Sequence, residues 1–88
     1  VREYWVLPAG VLKMRSNALC IIQENKDAAL RAYEGEKAAI LSGEYDAEYD
    51  LRDENDRQAT AEALGLFEVV LNRNGAIKKA QRLGGKNR

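Results

Sequence analysis

Residues 62–84 read Glu-Ala-Leu-Gly-Leu-Phe-Glu-Val-Val-Leu-Asn-Arg-Asn-Gly-Ala-Ile-Lys-Lys-Ala-Gln-Arg-Leu-Gly, and the reading of this stretch decides the fold. Leu66, Phe67, Val70 and Leu71 fall at helical spacing and continue an apolar stripe begun by Leu51, Ala59 and Ala63. Asn72-Arg73-Asn74-Gly75 reads as a helix stop, because Gly75 tolerates the positive φ that closes a helix. Residues 76–84 then predict a short basic helix with Ile77, Ala80 and Leu83 on one side, ended by Gly84-Gly85.

The same period runs upstream. Leu12, Leu19, Ile22, Ala29, Tyr33 and Ile40 form one stripe, widened by Ala18, Ala32 and Ala39, opposite a face carrying Gln23, Arg31, Glu34 and Lys37. This spacing predicts a first helix over residues 11–42 that stops at Ser42-Gly43, with Ser16 or Asn17 able to cap a later start. Gly35 inside the run costs about 1 kcal/mol relative to alanine. An acidic turn follows, and Asp46 or Asp50 is the expected N-cap of a second helix over residues 46–73. At a rise of about 1.5 Å per residue, two such helices in so short a chain must fold back on each other. The expected fold is all-α: a single domain over residues 1–88, built as an antiparallel helical hairpin plus the short basic helix.

Residues 1–10 stand apart as an N-terminal arm. Val1-Arg2-Glu3-Tyr4-Trp5-Val6-Leu7 is the one β-like stretch, rich in branched and aromatic side chains, and Pro8 ends it. With no second strand in the reading, it either packs over the helices as an irregular arm or pairs with another molecule.

A chain of 88 residues is near the low end of what folds unaided. The usual reinforcements are absent: Cys20 is the single cysteine, and there is no histidine. Self-association is the remaining remedy, so the hairpin is expected to form a homodimeric helical bundle of coiled-coil type. Tyr4, Trp5, Leu12, Leu19, Ile22 and Tyr33 are the candidate protein interface. The lone thiol, the absence of a run of about 20 apolar residues and the lack of a signal-peptide pattern at residues 1–10 lead to an expectation of no membrane partner and a cytoplasmic location.

The zero net charge hides a segregation. Glu44, Asp46, Glu48, Asp50, Asp53, Glu54 and Asp56 crowd residues 44–57, whereas residues 72–88 hold Arg73, Lys78, Lys79, Arg82, Lys86 and Arg88 without an acid. Chemistry is poorly served by this composition. Without histidine, proton transfer near neutral pH needs a strongly shifted carboxylate or lysine. Cys20 sits between Leu19 and Ile21 with no base to activate it. The acidic run lacks the glycine and register of a calcium loop, and no phosphate-cradling glycine loop is present. No cofactor, metal or catalytic residue is expected.

Residues 62–84 also resemble the first two helices of the Fis-type helix-turn-helix, with Ala80 four residues before Gly84 and Leu83 at the apolar position before the turn. The resemblance implies DNA binding as a symmetric dimer through a recognition helix in the major groove. Only Gly85-Lys86-Asn87-Arg88 remains to supply that helix. Two functions follow as expectations. The first is a non-enzymatic regulator, inhibitor or assembly factor acting by protein–protein interaction. The second is a DNA-binding regulator whose Arg73, Lys78, Lys79, Arg82, Lys86 and Arg88 contact phosphates.

Overall fold

The N-terminal segment finds its strand partners inside the chain. In the computed structural model, which describes residues 1–8 and 21–85, the elements run β1 (Arg2–Pro8), β2 (Ile21–Gln23), α1 (Lys26–Ser42), α2 (Asp46–Tyr49), α3 (Glu54–Ala63), β3 (Leu64–Leu71) and β4 (Ile77–Gly84). The strands form one four-stranded sheet in the order β2-β1-β3-β4, antiparallel at every junction. The all-α expectation is therefore overturned: the chain is a mixed α/β fold, neither a helical hairpin nor a coiled coil.

The physical reason lies in the stretch on which the reading turned. Leu64-Gly65-Leu66-Phe67-Glu68-Val69-Val70-Leu71 is a nearly continuous apolar run, and such a run fits a strand buried on both faces as well as a buried helix. Phe67, Val69 and Val70 favour the strand, and Gly65 would cost a helix about 1 kcal/mol. Asn72-Arg73-Asn74-Gly75 is not a helix stop but a hairpin turn. The Gly75 amide donates to the Asn72 carbonyl at 3.0 Å, and the Asn72 amide donates to the Ala76 carbonyl at 2.8 Å. Gly75 takes φ 85°, the left-handed residue that a short hairpin loop needs. Residues 77–84, expected as a basic helix, are β4. The two helices implied by the Fis-type resemblance are thus a β-hairpin in this fold, preceded by the last turn of α3.

Helix boundaries shift for similar local reasons. The predicted helix over 11–42 begins only at Lys26; Ile21–Gln23 is strand, and residues 11–20 lie outside the described residues. Asn25 is the N-cap, its Oδ1 accepting from the Asp27 and Ala28 amides at 2.8 and 3.1 Å. The helix ends at Ser42, where Gly43 turns left-handed. The predicted second helix over 46–73 is broken into α2, α3 and β3. Asp53 caps α3 by accepting from the Asp56 amide at 2.9 Å, while Asp56 accepts from the Arg52 amide at 2.9 Å. This exchange resembles a capping box.

β1 is the middle of the core. Arg2 faces Val70, Trp5 faces Phe67 and Pro8 faces Leu64 on β3, while Trp5 also faces Ile22 on β2. One face of the sheet packs Tyr4, Val6, Leu64 and Leu66 against Ala29, Tyr33 and Ile40 of α1 and Ala61 of α3. The other face gathers Trp5, Leu7, Val69 and Leu71 with the partly buried Ile22, Phe67 and Ile77. Trp5, Val6, Leu7, Leu66 and Val69 are all 0–1% exposed. Each such side chain contributes about 1.5–3 kcal/mol by its burial.

Two glycines make opposite predictions. A Cβ on Gly35 meets nothing within 4 Å, so Gly35→Ala should stabilise α1 by roughly 0.5–1 kcal/mol. Gly85 has φ +99°, and a Cβ there would lie 2.5 Å from the Leu64 carbonyl oxygen. Gly85→Ala should therefore destabilise the chain. Urea unfolding of both variants, compared with the parent, checks the pair of signs.

Candidate functional site

The outer edge of β4 is where unpaired backbone and unpaired charge coincide. β4 ends the sheet, and among the described residues no strand pairs with its far side. Its eight residues, Ile-Lys-Lys-Ala-Gln-Arg-Leu-Gly, contain three cations and no acid. Lys78, Lys79, Ala80 and Gln81 are exposed, as is Arg73 in the turn that leads into the strand. Among the described residues, Arg73, Lys78 and Lys79 make no ion pair. At about 3.4 Å per strand residue, the cations from Lys78 to Arg82 span roughly 14 Å.

Arg82 is held in place. Its guanidinium carbon lies 5.3 Å from the centroid of the Phe67 ring, and its Nε donates to the Gly84 carbonyl at 3.3 Å. Gly65 makes the room: a Cβ there would sit 2.8 Å from the Phe67 ring and 3.0 Å from an Arg82 Nη. The pairing of β3 with β4 is shifted between Leu66 and Phe67 and again between Val70 and Leu71, so the edge is bulged at Leu83 and Lys78. Lysines and bulges on an edge strand have a plain structural role as well, since they keep other sheets from docking.

The acids gather elsewhere, and several are used internally. Asp46 accepts two short bonds from Arg57, at 3.0 Å from Nε and 2.9 Å from Nη2, across the gap between α2 and α3. The Arg57 guanidinium holds the Asp46 carboxyl below the usual carboxylate range. Tyr45 donates to both carboxylate oxygens of Glu36 on α1, at 2.7 and 3.0 Å. That bond, followed by burial and the Glu36 charge, pushes the Tyr45 hydroxyl up to about 12. Burial raises Tyr49 as well, with the charges of Glu36 and Glu48 adding to it. Both shifted tyrosines move up and the shifted aspartate moves down, all away from neutrality, so none of them is poised to exchange a proton at pH 7.

Most of the interface expected from the sequence is core. Tyr4, Trp5 and Tyr33 are buried and Ile22 is half-buried, on two opposite faces of the sheet; Leu12 and Leu19 lie outside the described residues. The Tyr4 hydroxyl donates to Glu68 at 3.3 Å, and the Trp5 indole donates to Glu3 at 3.0 Å. Of the apolar stripe that runs through the predicted first helix, Ala29, Tyr33 and Ile40 pack within the chain against Tyr4, Val6 and Leu66. Of the candidate phosphate contacts, Arg73, Lys78, Lys79 and Arg82 come together on one hairpin, and Lys86 and Arg88 lie outside the described residues. Phe67 and Gly65, which orient Arg82, were not legible as site residues, because cross-strand neighbours are invisible while both segments read as helices.

Two depressions flank the end of β4. One, of about 290 Å³, is lined by Tyr33, Lys37, Ala61, Glu62 and Gly85, and the other, of about 200 Å³, by residues 82–85. Both lie open to solvent. Among the described residues no three side chains of the His, Cys, Asp or Glu type converge as metal ligands, and no helix is long and apolar enough to cross a membrane. Comparison with known proteins adds nothing to this geometry: no family model, no curated sequence and no solved structure matches the chain.

Tyr45 supplies a test of the helical end. Its raised folded value means that the folded state keeps a proton which the unfolded state loses near pH 10. Its contribution is intact below pH 10 and falls as pH rises towards 12. Tyrosinate absorbance should show one of the four tyrosines titrating near 12, and Tyr45→Phe should delete that step. A titration unchanged by Tyr45→Phe would remove the Glu36 bond from the account.

Proposed function

We propose that this chain is a non-enzymatic interaction module that meets a protein partner through the basic outer edge of β4. One observation carries the reading: an edge strand with three cations, no acid and a backbone that no other strand among the described residues pairs, in a chain whose Lys+Arg and Asp+Glu both number 14. Polar backbone groups left at an edge invite a partner that completes the ladder. The cations select which partner approaches fastest. The lack of histidine, and pKa shifts directed away from neutrality, support a role without catalysis.

A second reading, nucleic-acid binding, keeps support from the same unpaired Arg73, Lys78 and Lys79. It no longer takes the form of a helix-turn-helix, since Leu64–Leu71 and Ile77–Gly84 are strands. Against it weigh the exposed Glu44, Glu48, Asp50, Asp53 and Glu54 of the helical end, which repel a phosphate backbone.

Lys78→Glu/Lys79→Glu tests the reading directly. Both side chains are exposed and make no ion pair among the described residues, so the melting temperature should change little. Affinity capture with the intact chain should recover proteins that the variant loses. Recovery of the same set by both would count against the edge. A mobility shift with duplex DNA at about 50 mM salt, where phosphate contacts are strongest, checks the second reading; no shift removes it.

A further inference from the structure

We infer that the partner's contact segment is an extended acidic peptide, added to β4 as a fifth strand. The inference rests on the interaction reading above and specifies its chemistry. Three observations carry it. First, among the described residues β4 is the longer edge, eight residues paired on one side only against three at β2, and its bulges at Lys78 and Leu83 leave residues 79–82 as a regular run. That run offers an added segment main-chain hydrogen bonds, which supply affinity without reference to side chains.

Second, the charge on the edge has one sign. β4 carries Lys78, Lys79 and Arg82 with no acid between them, and like charges opposed across a strand pair are destabilising. That argument weighs against the β4-to-β4 pairings with a second copy that oppose residues 78, 79 and 82 to one another, the parallel in-register pairing among them. An acidic strand reverses the sign of every such contact. Third, Lys79 pairs with Val70 and Arg82 with Phe67, residues that belong to opposite faces of the sheet. The cations therefore flank both faces of the added strand, and acids on both of its faces are matched. Arg82 is turned back over β3 by the Phe67 ring and the Gly84 carbonyl, so it adds positive charge to the edge while Lys78 and Lys79 are the exposed cations.

A phosphate backbone satisfies the cations and leaves the ladder unsatisfied, which separates the two classes of partner. The test uses the full chain and three fluorescent probes: a short peptide alternating glutamate with valine and threonine, the same peptide N-methylated at every residue, and a single-stranded oligonucleotide. The acidic peptide should bind, and full N-methylation, which removes every main-chain donor but no charge, should weaken binding at least tenfold. The backbone amides of β4 should become protected from hydrogen exchange in the complex. Lys78→Glu/Lys79→Glu should lose the acidic peptide and accept its lysine-for-glutamate counterpart.

Equal binding of the methylated and unmethylated peptides would overturn strand addition while leaving the basic edge as an interaction surface. Binding of the oligonucleotide alone would overturn the acidic peptide in favour of nucleic acid. Protection of β4 that rises with protein concentration in the absence of any probe would overturn the acidic peptide in favour of a second copy. Failure of every probe to bind would remove both the inference and the reading beneath it.

Discussion

Antiparallel pairing of β1 with β3 is the interaction on which the remaining structure depends. The register runs from Arg2 against Val70 to Pro8 against Leu64, and the chain's first residue joins it: the Leu71 amide donates to the Val1 carbonyl at 2.7 Å. These strands lie far apart in sequence, so closing the ladder requires everything between them to return to its starting point. The helices accomplish that return. α3 runs directly into β3 at Leu64 with no loop between them. Tyr4 and Val6 point to the helices and Trp5 and Leu7 to the opposite face, so a single strand anchors both halves of the core. The alternation of side chains along a strand makes this possible, and a one-residue slip would exchange the two halves.

From that pairing the character of the surface follows. Once β1 takes β2 and β3 as neighbours, β4 is left at the margin with only β3 beside it. The cations that composition alone assigns to the C-terminal third are then displayed along a backbone edge. The acids sit on α2, α3 and the turns around them, where Asp53 and Asp56 serve as caps and Asp46 holds Arg57. Those acids have local structural uses, whereas Lys78 and Lys79 have no ion partner among the described residues. This asymmetry separates acids engaged in helix termination from exposed lysines without an ion partner among the described residues.

Arg82 shows how such an edge becomes specific. Its side chain is neither buried nor loose: the Phe67 ring, the Gly84 carbonyl and the space left by Gly65 confine it. A guanidinium fixed in this way presents its donors in one direction, which a lysine on a flexible stem does not. The edge thus carries two exposed lysines and one arginine turned back over β3.

Some of this was legible in the residues themselves. Residues 1–7 read as β-like from their branched and aromatic side chains, Ser42-Gly43 read as the end of a helix, and Arg73, Lys78, Lys79 and Arg82 stood out as a basic group. Local propensity and charge determine such features, and both are properties of neighbouring residues. What the sequence did not reveal is which segments pair. A run such as residues 64–71, apolar at nearly every position, satisfies a helical and a strand period alike, and Asn74-Gly75 serves a helix end or a hairpin. Only the tertiary structure resolved that ambiguity, because β1 is stable as a strand only beside β3, and β3 is stable as a strand only with β1 and β4 on its two edges. The same long-range pairing decided that the basic group lies on an open ladder, since an edge is defined by the strand that is missing beside it.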